Sequence, residues 1–500
     1  MAWLRAALLL VVAGTVASVL LSGDSPADPH TPTGLPGQPP PFLGTAVVGS
    51  GGLTASIDAY GDVVDLRPAA AGPALIDNPA ARQAAGSVSA ETGIVPLASL
   101  DGRGARPLWT ADSVAQRYRL GTNVAVTEAR FGVAWVRITY AAGGTALACL
   151  TSASEGVHVS LHSREPAAER RLHCDDQRAR RIVRGAESAD RRWLSGARPL
   201  GDAAPTWAEA MYRRSLLVLR ALADRRSGAV AAGARDGWAY VWPRDAGAAA
   251  LALTASGYRA EARRAAGFLL ELDLGAAARF RGDGTPVPGR AAQGDAGGWT
   301  AVAARASGLS QASAPLVWRD LADYQEGAPG DYLANAIAAQ PPADGPKTPL
   351  YGGKSARRPW IALAFGGSTG LKRRAGDPQS GLDSAAAWAV RPFSQPALFP
   401  AVRRTLLGLA AGQTRFGIAP SGAWPDADPW TAPTAWTAWS LAALGERRAA
   451  LGLLGNLRRA ATPAGALPER VDARTGIPRS TTPLAWSHAF AILALRQLWP

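Results

Sequence analysis

Residues 245–273 read DAGAAALALTASGYRAEARRAAGFLLELD, and two helices of opposite character are legible in them. The first, 245–257, carries small and apolar residues nearly all round, so no face is left to turn towards water. A helix of that composition is buried on every side. The second, 258–273, sets Arg and Glu against Ala, Phe and Leu, the pattern of a helix with one wet face. Gly257 lies between them as a stop signal. An inner helix followed at once by an outer one is a hairpin of a layered helical fold.

Further along, the same texture recurs. Residues 396–412, 431–446, 447–461 and 483–499 read as helices in hairpin-like pairs, and 485–496 is again apolar almost throughout. Upstream, WAEAMYRRSLLVLRALADR (207–225) is amphipathic, with Met211, Ser215, Val218 and Leu222 on one stripe. Buried helices need an outer layer of amphipathic ones, and a ring of paired helices supplies it. Residues 205–500 are therefore expected to form an all-α toroid of paired helices. The stretch 275–395 is loop-rich and gives no helix count of its own.

Residues 43–200 have a different texture, with Gly- and Asp-punctuated runs of period two. GLTASIDAYGDVVDL (52–66), AVTEARFGVAWVRITYA (125–141) and GVHVSLHS (156–163) read as strands, with a hairpin turn at 59–62. An antiparallel β-sandwich domain is expected there. Cys149 and Cys174, the two cysteines of the chain, leave two readings open: a disulfide that staples this domain, or two buried thiols. Further upstream, residues 6–21 form an apolar run behind Arg5, and a Pro-rich stretch follows at 25–41. Residues 1–24 are expected to act as a signal peptide or membrane anchor and 25–42 as an extended linker. The body is accordingly expected outside the cytoplasm, secreted or anchored by the N-terminal segment.

With 47% apolar and 18% charged residues over 500 positions, the chain is globular and not disordered. Its net charge of +14 comes almost wholly from arginine, scattered along the sequence, with Arg178–Arg181 as the densest cluster. Dispersed charge of this kind is a solvated surface, so no specific nucleic-acid partner is expected. Two cysteines and five histidines build no metal-ligand cluster, and no cofactor is expected.

Chemistry concentrates around DGWAYVWPRDA (236–246), where aromatic residues precede an Arg-Asp pair at a helix start. Thirteen of the seventeen tryptophans lie beyond residue 206, and Trp238, Trp242, Trp299, Trp424 and Trp430 read as loop residues. Any one of them suffices for core packing. Together with Arg244, Asp245 and Arg415 they suit a cleft for sugars, which offer C–H faces to rings and hydroxyls to charged groups. The helical region holds six glutamates, four of them in amphipathic helices. Glu326 in DYQEGAPGD and Glu469 in GALPERVDARTG stand apart, in Gly- and Pro-bounded loops. Glycoside hydrolysis needs two carboxyl groups flanking the scissile bond.

Several of these segments resemble the glucoamylase family, glycoside hydrolase family 15. RSLLVLRALADRRSGAVAAGARDGWAYVWPRDA (214–246) is similar to the start of its catalytic domain, and GALPERVDARTGIPRSTTPLAWSHAFAILAL (465–495) to its closing segment. TRFGIAPSGAW (414–424) and PWTAPTAWTAWSLAALG (429–445) resemble an Arg-containing loop and a Trp-bearing helix, and 49–66 the opening of the family's N-terminal β-sandwich. The resemblance implies an exported, inverting, exo-acting α-glucosidase of glucoamylase, glucodextranase or trehalase type, acting on an oligo- or polysaccharide. It implies that Arg244 and Asp245 grip the terminal sugar, that Arg415 binds substrate, and that Trp238, Trp242, Trp430 and Trp486 line the pocket. Asp295, in QGDAGGW (293–299), matches a site-lining element. Glu469 matches the catalytic base.

The general acid is where the chain departs from the family, which places it in a Trp-Glu element. This sequence has no Trp-Glu dipeptide, and Glu326 in Asp-Tyr-Gln-Glu is the nearest equivalent. Two readings follow: a hydrolase with Glu326 as its acid, or a weak or inactive relative that binds glycans at the cell surface. His488, in Trp-Ser-His-Ala, is expected to be structural.

Overall fold

The computed structural model describes residues 45–77, 93–100, 102, 104–163, 165–309, 332–338 and 357–500. The sequence-predicted acid Glu326 and the N-terminal segments 1–24 and 25–42 lie outside the described residues. The N-terminal region is mostly antiparallel sheet, and helices dominate the rest.

One sheet contains β1 (Thr45–Gly49), β2 (Thr54–Asp58), β3 (Val63–Arg67), β4 (Ile76–Asp77), β5 (Ile94–Leu100), β6 (Arg106–Pro107) and, at its far edge, β11 (Val157–Ser163). The other contains β7 (Ser113–Tyr118), β8 (Ala125–Phe131), β9 (Ala134–Gly143), β10 (Ala146–Ala153) and β12 (Leu172–Cys174). All pairings are antiparallel except β10 with β12. Ile57, Val63, Ile94, Val136, Ile138 and Leu147 belong to the core shared by the two sheets. The β2–β3 turn at 59–62 forms as the period-two runs predict, because Asp58 Oδ1 accepts the backbone N–H groups of Tyr60 and Asp62 at 2.9 Å. Cys149 faces Cys174 across the β10–β12 pair, and the two form a disulfide.

Alternating burial holds for β11, an edge strand, but not for β1, β2 and β3, which are buried at every position. Helical structure covers their second face. Helix α3 (Thr206–Leu222) lies against this sheet, with Thr54 Oγ1 donating to Ala221 O at 3.2 Å, and the chain beyond the helix adds Ala234 O, which accepts Ser56 Oγ at 3.2 Å. A Cβ on Gly49 would come within 2.6 Å of Ala221 O, so only glycine permits this approach. Arg214 stacks on Tyr118 with 3.6 Å to the ring centre and bonds Asn123 and Thr122 from the same helix.

The interval 43–200 also contains helix, which the sequence reading does not anticipate. After the short α1 (Pro166–Glu169), α2 spans Gln177–Ser195 and packs on β9 and β10. Its start is set by Asp176, which accepts Ala179 N–H at 2.6 Å. Arg178, Arg180 and Arg181 are the wet side of this helix, while Ala179, Val183 and Leu194 face inward.

The helices from α3 onward are α4 (Pro243–Ala255), α5 (Arg259–Leu270), α6 (Ala296–Ala306), α7 (Leu333–Ala338), α8 (Arg357–Phe365), α9 (Phe399–Ala411), α10 (Thr431–Ala443), α11 (Arg447–Ala460) and α12 (Ala485–Leu498). A three-stranded sheet, β13–β15, spans 366–382, and a 3-10 segment spans Ser384–Ala389. Helices α4, α10 and α12 are almost wholly buried, whereas α5 and α11 bury one side, as their sequences predict. Neighbour contacts run α12 to α4, α4 to α6, α6 to α7, α7 to Ser384–Ala389, that segment to α10, and α10 back to α12. Small residues make the close approaches possible: a Cβ on Gly298 of α6 would fall 1.9 Å from Ala338 O of α7. Trp299 lies within α6 rather than in a loop, and it is fully buried. Its ring meets Trp388, Phe393 and Phe490 edge-on at 5.2–5.8 Å, a core role and not a cleft role.

Candidate active site

Pro243 opens α4 at a position where its missing N–H costs little, and Arg244 and Asp245 follow in the first turn. The Arg244 guanidinium reaches Asp295 Oδ2 at 2.9 Å, Gln293 Oε1 at 3.1 Å and Asp245 Oδ2 at 3.7 Å. It also lies over the Trp486 ring, 4.4 Å from its centre. Asp295, just before α6, thus brings two inner helices to one arginine. Arg244, Asp245 and Asp295 are 6%, 3% and 2% exposed, so this cluster forms the floor of the site.

Glu469 arrives from a different part of the chain. Its backbone N–H donates to Thr481 O at 2.9 Å, and its carbonyl accepts Thr431 N–H at 3.0 Å from the start of α10. The carboxylate is held at both oxygens: the Ser480 hydroxyl donates to Oε2, and Trp238 Nε1 donates to Oε1 at 3.3 Å. The side chain still meets open space, because the residue is only half-buried.

These groups share one cavity of about 560 Å³. Trp238, Trp242, Arg244, Asp245, Asp295, Trp430, Glu469 and Trp486, all singled out from the sequence, line it. Arg415 does not. It is exposed and packs 4.5 Å from its neighbour Phe416, so the substrate-binding arginine expected from the resemblance lies outside this cavity. Besides Arg244, the arginines among the described residues that reach the cavity are Arg279, Arg290, Arg373 and Arg470, none with a local sequence signal. Trp388 and Trp424 also line it, as does Asp383, whose Oδ1 accepts Ala385 N–H at 2.8 Å. Asp before Ser-Ala-Ala-Ala is an N-cap pattern, and that was the available signal for Asp383.

Burial and charge shape the acid–base character. Asp245 is pushed up to about 7, chiefly by burial, with the charges of Glu469 and Asp295 adding to it and Arg244 opposing. Burial likewise raises Glu469, against the hydrogen bonds from Ser480 and Trp238 and the charges of Arg470 and Arg244. Burial brings Asp383 to about 6. A largely buried carboxylate that is held by two donors and lines the cavity can take a proton from water, while a buried Arg-Asp-Asp cluster offers donors and acceptors to hydroxyls. Among the described residues no group of three or more His, Cys, Asp or Glu could hold a metal ion. His488 is buried, accepts Leu467 N–H at Nε2 and faces Ser215 Oγ from Nδ1 at 2.9 Å, and burial lowers it to about 3. It is neutral and structural.

The chain superposes along most of its length on a crystal structure of a bacterial glucoamylase complexed with acarbose, at 11% identity, covering 93% of this chain and 96% of that one, with a TM-score of 0.65. The fold is that of the bacterial glucoamylase. Other structural neighbours are glycosidases and glucoamylases over a shorter span. One glycosidase is 20% identical over 58% of this chain and 96% of that chain, TM-score 0.48. The glucoamylase from Saccharomycopsis fibuligera is 13% identical over 60% of this chain and 96% of that chain, TM-score 0.46. No protein-family model matches the chain, and no curated protein does.

Proposed function

We propose that this chain is an inverting, exo-acting glycoside hydrolase of the glucoamylase kind, releasing terminal α-glucosyl units from an oligo- or polysaccharide. The observation that carries the reading is the pairing, in one cavity, of Glu469 held by Ser480 and Trp238 with the buried Arg244–Asp245–Asp295 cluster. In this reading the cluster binds hydroxyls of the terminal sugar and Trp486 and Trp430 flank it. Glu469 accepts a proton from water as the water oxygen bonds to the anomeric carbon. The glycosidic C–O bond breaks, and the leaving oxygen takes a proton from Glu326 as general acid. Inversion calls for roughly 6.5–9.5 Å between the two carboxyl groups.

The circuit of contacts through α4, α6, α7, Ser384–Ala389, α10 and α12 supports an (α/α)6 toroid, with α3, α5, α9 and α11 outside it. Export belongs to the same proposal, with 1–24 as signal or anchor, 25–42 as linker, and 43–200 and 205–500 as the β-sandwich and catalytic units. Its support is the apolar run at 6–21 and the Pro-rich stretch after it. Among the described residues no helix is long and apolar enough to cross a membrane. The second reading, a glycan-binding relative without turnover, is favoured by the lack of a Trp-Glu dipeptide.

A panel of α-linked disaccharides, with the anomer of the released sugar followed by NMR, separates the two. Release of the β-anomer first is expected. Glu469→Gln should lower turnover by roughly 10² to 10⁴ while sugar binding persists. Binding without release from any disaccharide sinks the hydrolase reading in favour of the second.

A further inference from the structure

Two arginines of the cavity wall lack the compensation that the others have. Arg244 is matched by Asp295 and Asp245, Arg470 by Asp426 and Asp428, and Arg373 lies near enough to Asp383 to lower it. Arg279 and Arg290 stand on one hairpin, in which Val287 N–H donates to Arg279 O at 2.9 Å, Arg281 N–H to Thr285 O at 2.9 Å and Ala278 N–H to Arg290 O at 3.4 Å. Both line the cavity. The Arg279 guanidinium sits 5.0 Å from the Tyr240 ring centre and 5.7 Å from that of Trp242, and its Nη1 donates to Gly237 O at 3.1 Å. Its Nε is buried without a partner. Among the described residues, no carboxylate pairs with either guanidinium.

The two like charges also sense each other: after burial, the charge on Arg290 is the largest influence holding Arg279 below the usual arginine range. Ring stacking accounts for the position of Arg279, but not for a second cation beside it. Uncompensated like charges on a half-closed wall are unfavourable in the empty cavity, and an anion placed between them relieves that cost. The guanidinium fork matches the oxygens of a carboxylate or phosphate.

Depth decides which part of a ligand meets them. The Arg244–Asp245 floor is buried, whereas Arg290 is exposed at the mouth. In an exo-acting pocket the terminal sugar takes the floor and the remainder points outward. We infer that the 278–290 hairpin forms an anion subsite, so that the preferred glycoside carries a carboxylate or phosphate on its leaving group. This rests on the glycoside reading above, and it is tested by binding so that it does not depend on turnover.

Calorimetric titration of the full chain carrying Glu469→Gln compares maltose with maltobionate, and trehalose with trehalose 6-phosphate. At least one anionic partner is expected to bind roughly tenfold tighter than its neutral counterpart at low salt, and the pair that shows it identifies the oxyanion. Adding Arg279→Gln or Arg290→Gln should collapse that ratio. Arg281→Gln, on the same hairpin but outside the cavity, should keep it. Equal affinities in both pairs, or a preference that survives in both cavity variants, overturn the anion subsite and leave the sugar site standing. Failure of all four compounds to bind overturns both.

Discussion

Ser480 donates its hydroxyl to Oε2 of Glu469 from only eleven residues further along the chain. That bond favours the charged carboxylate, while burial favours the neutral acid, and burial prevails. A general base must be deprotonated to act. Activity is therefore expected to be present above the raised value of Glu469 and lost as pH falls through it, with an acidic limb above that of an ordinary glutamate. Ser480→Ala removes an opposing influence, so the limb should move further up and kcat at neutral pH should fall roughly three- to tenfold. A pH–rate profile of both proteins checks this, and an unmoved limb would remove Glu469 from the role of base.

Asp295→Asn tests the floor. The substitution deprives the buried Arg244 of a carboxylate at 2.9 Å, its closest among the described residues, while the contacts to Gln293 and Asp245 remain. Loss of a buried charged partner costs on the order of 2–5 kcal/mol, divided here between folding and ligand binding. A rise in KM of at least about tenfold is expected, with a Tm lowered by several degrees. Wild-type KM in a folded variant would show that Asp295 does not position the arginine.

The N-terminal sheet region contains a second pH-sensitive cluster. Asp58 and Asp62 are both raised by burial, Asp58 to about 7, and neither oxygen of Asp62 has a hydrogen-bond partner. A carboxyl group raised on folding contributes stability that is fully present below its unfolded value and is lost as pH rises through the folded value. This region should therefore weaken between about pH 4 and 7. Asp62→Asn should be more stable than wild type at pH 8 by on the order of 1–2 kcal/mol, with the difference shrinking towards pH 4. Urea unfolding at the two pH values measures it, and a pH-independent difference contradicts the buried-acid account.

Reduction of the Cys149–Cys174 disulfide opens a loop closed over 25 residues. A loop of that length implies a loss of about 3.5 kcal/mol in the stability of the N-terminal sheet region. Thermal unfolding with and without reductant should show the lower transition of the reduced chain, together with the mass increase of two hydrogens. Identical transitions would mean that the bond constrains nothing the unfolded state lacks.

Local pattern was sufficient for elements whose burial follows their own periodicity. Helices α4, α5, α10, α11 and α12 lie where apolar and amphipathic runs placed them, because their faces are dictated by residues three and four apart. It was insufficient for α2 and α6, where a polar run and a Gly-rich loop signature concealed helix, and for β1, β2 and β3, whose second face is covered by a helix more than a hundred residues away.

The site divides along the same line. Arg244, Asp245 and Glu469 were legible because a charged pair at a helix start and a loop glutamate are unusual in so apolar a region. Arg415 lies outside the cavity, and Arg279, Arg290 and Asp383 were passed over, since the direction of a loop side chain is set by what the loop packs against. The sequence by itself determined which helices are buried and which residues are too costly to bury without a purpose. Only the tertiary structure decided which of those residues meet, because the cavity is lined by six separate stretches of the chain, and packing rather than periodicity brings Trp238, Asp295, Asp383 and Glu469 to it.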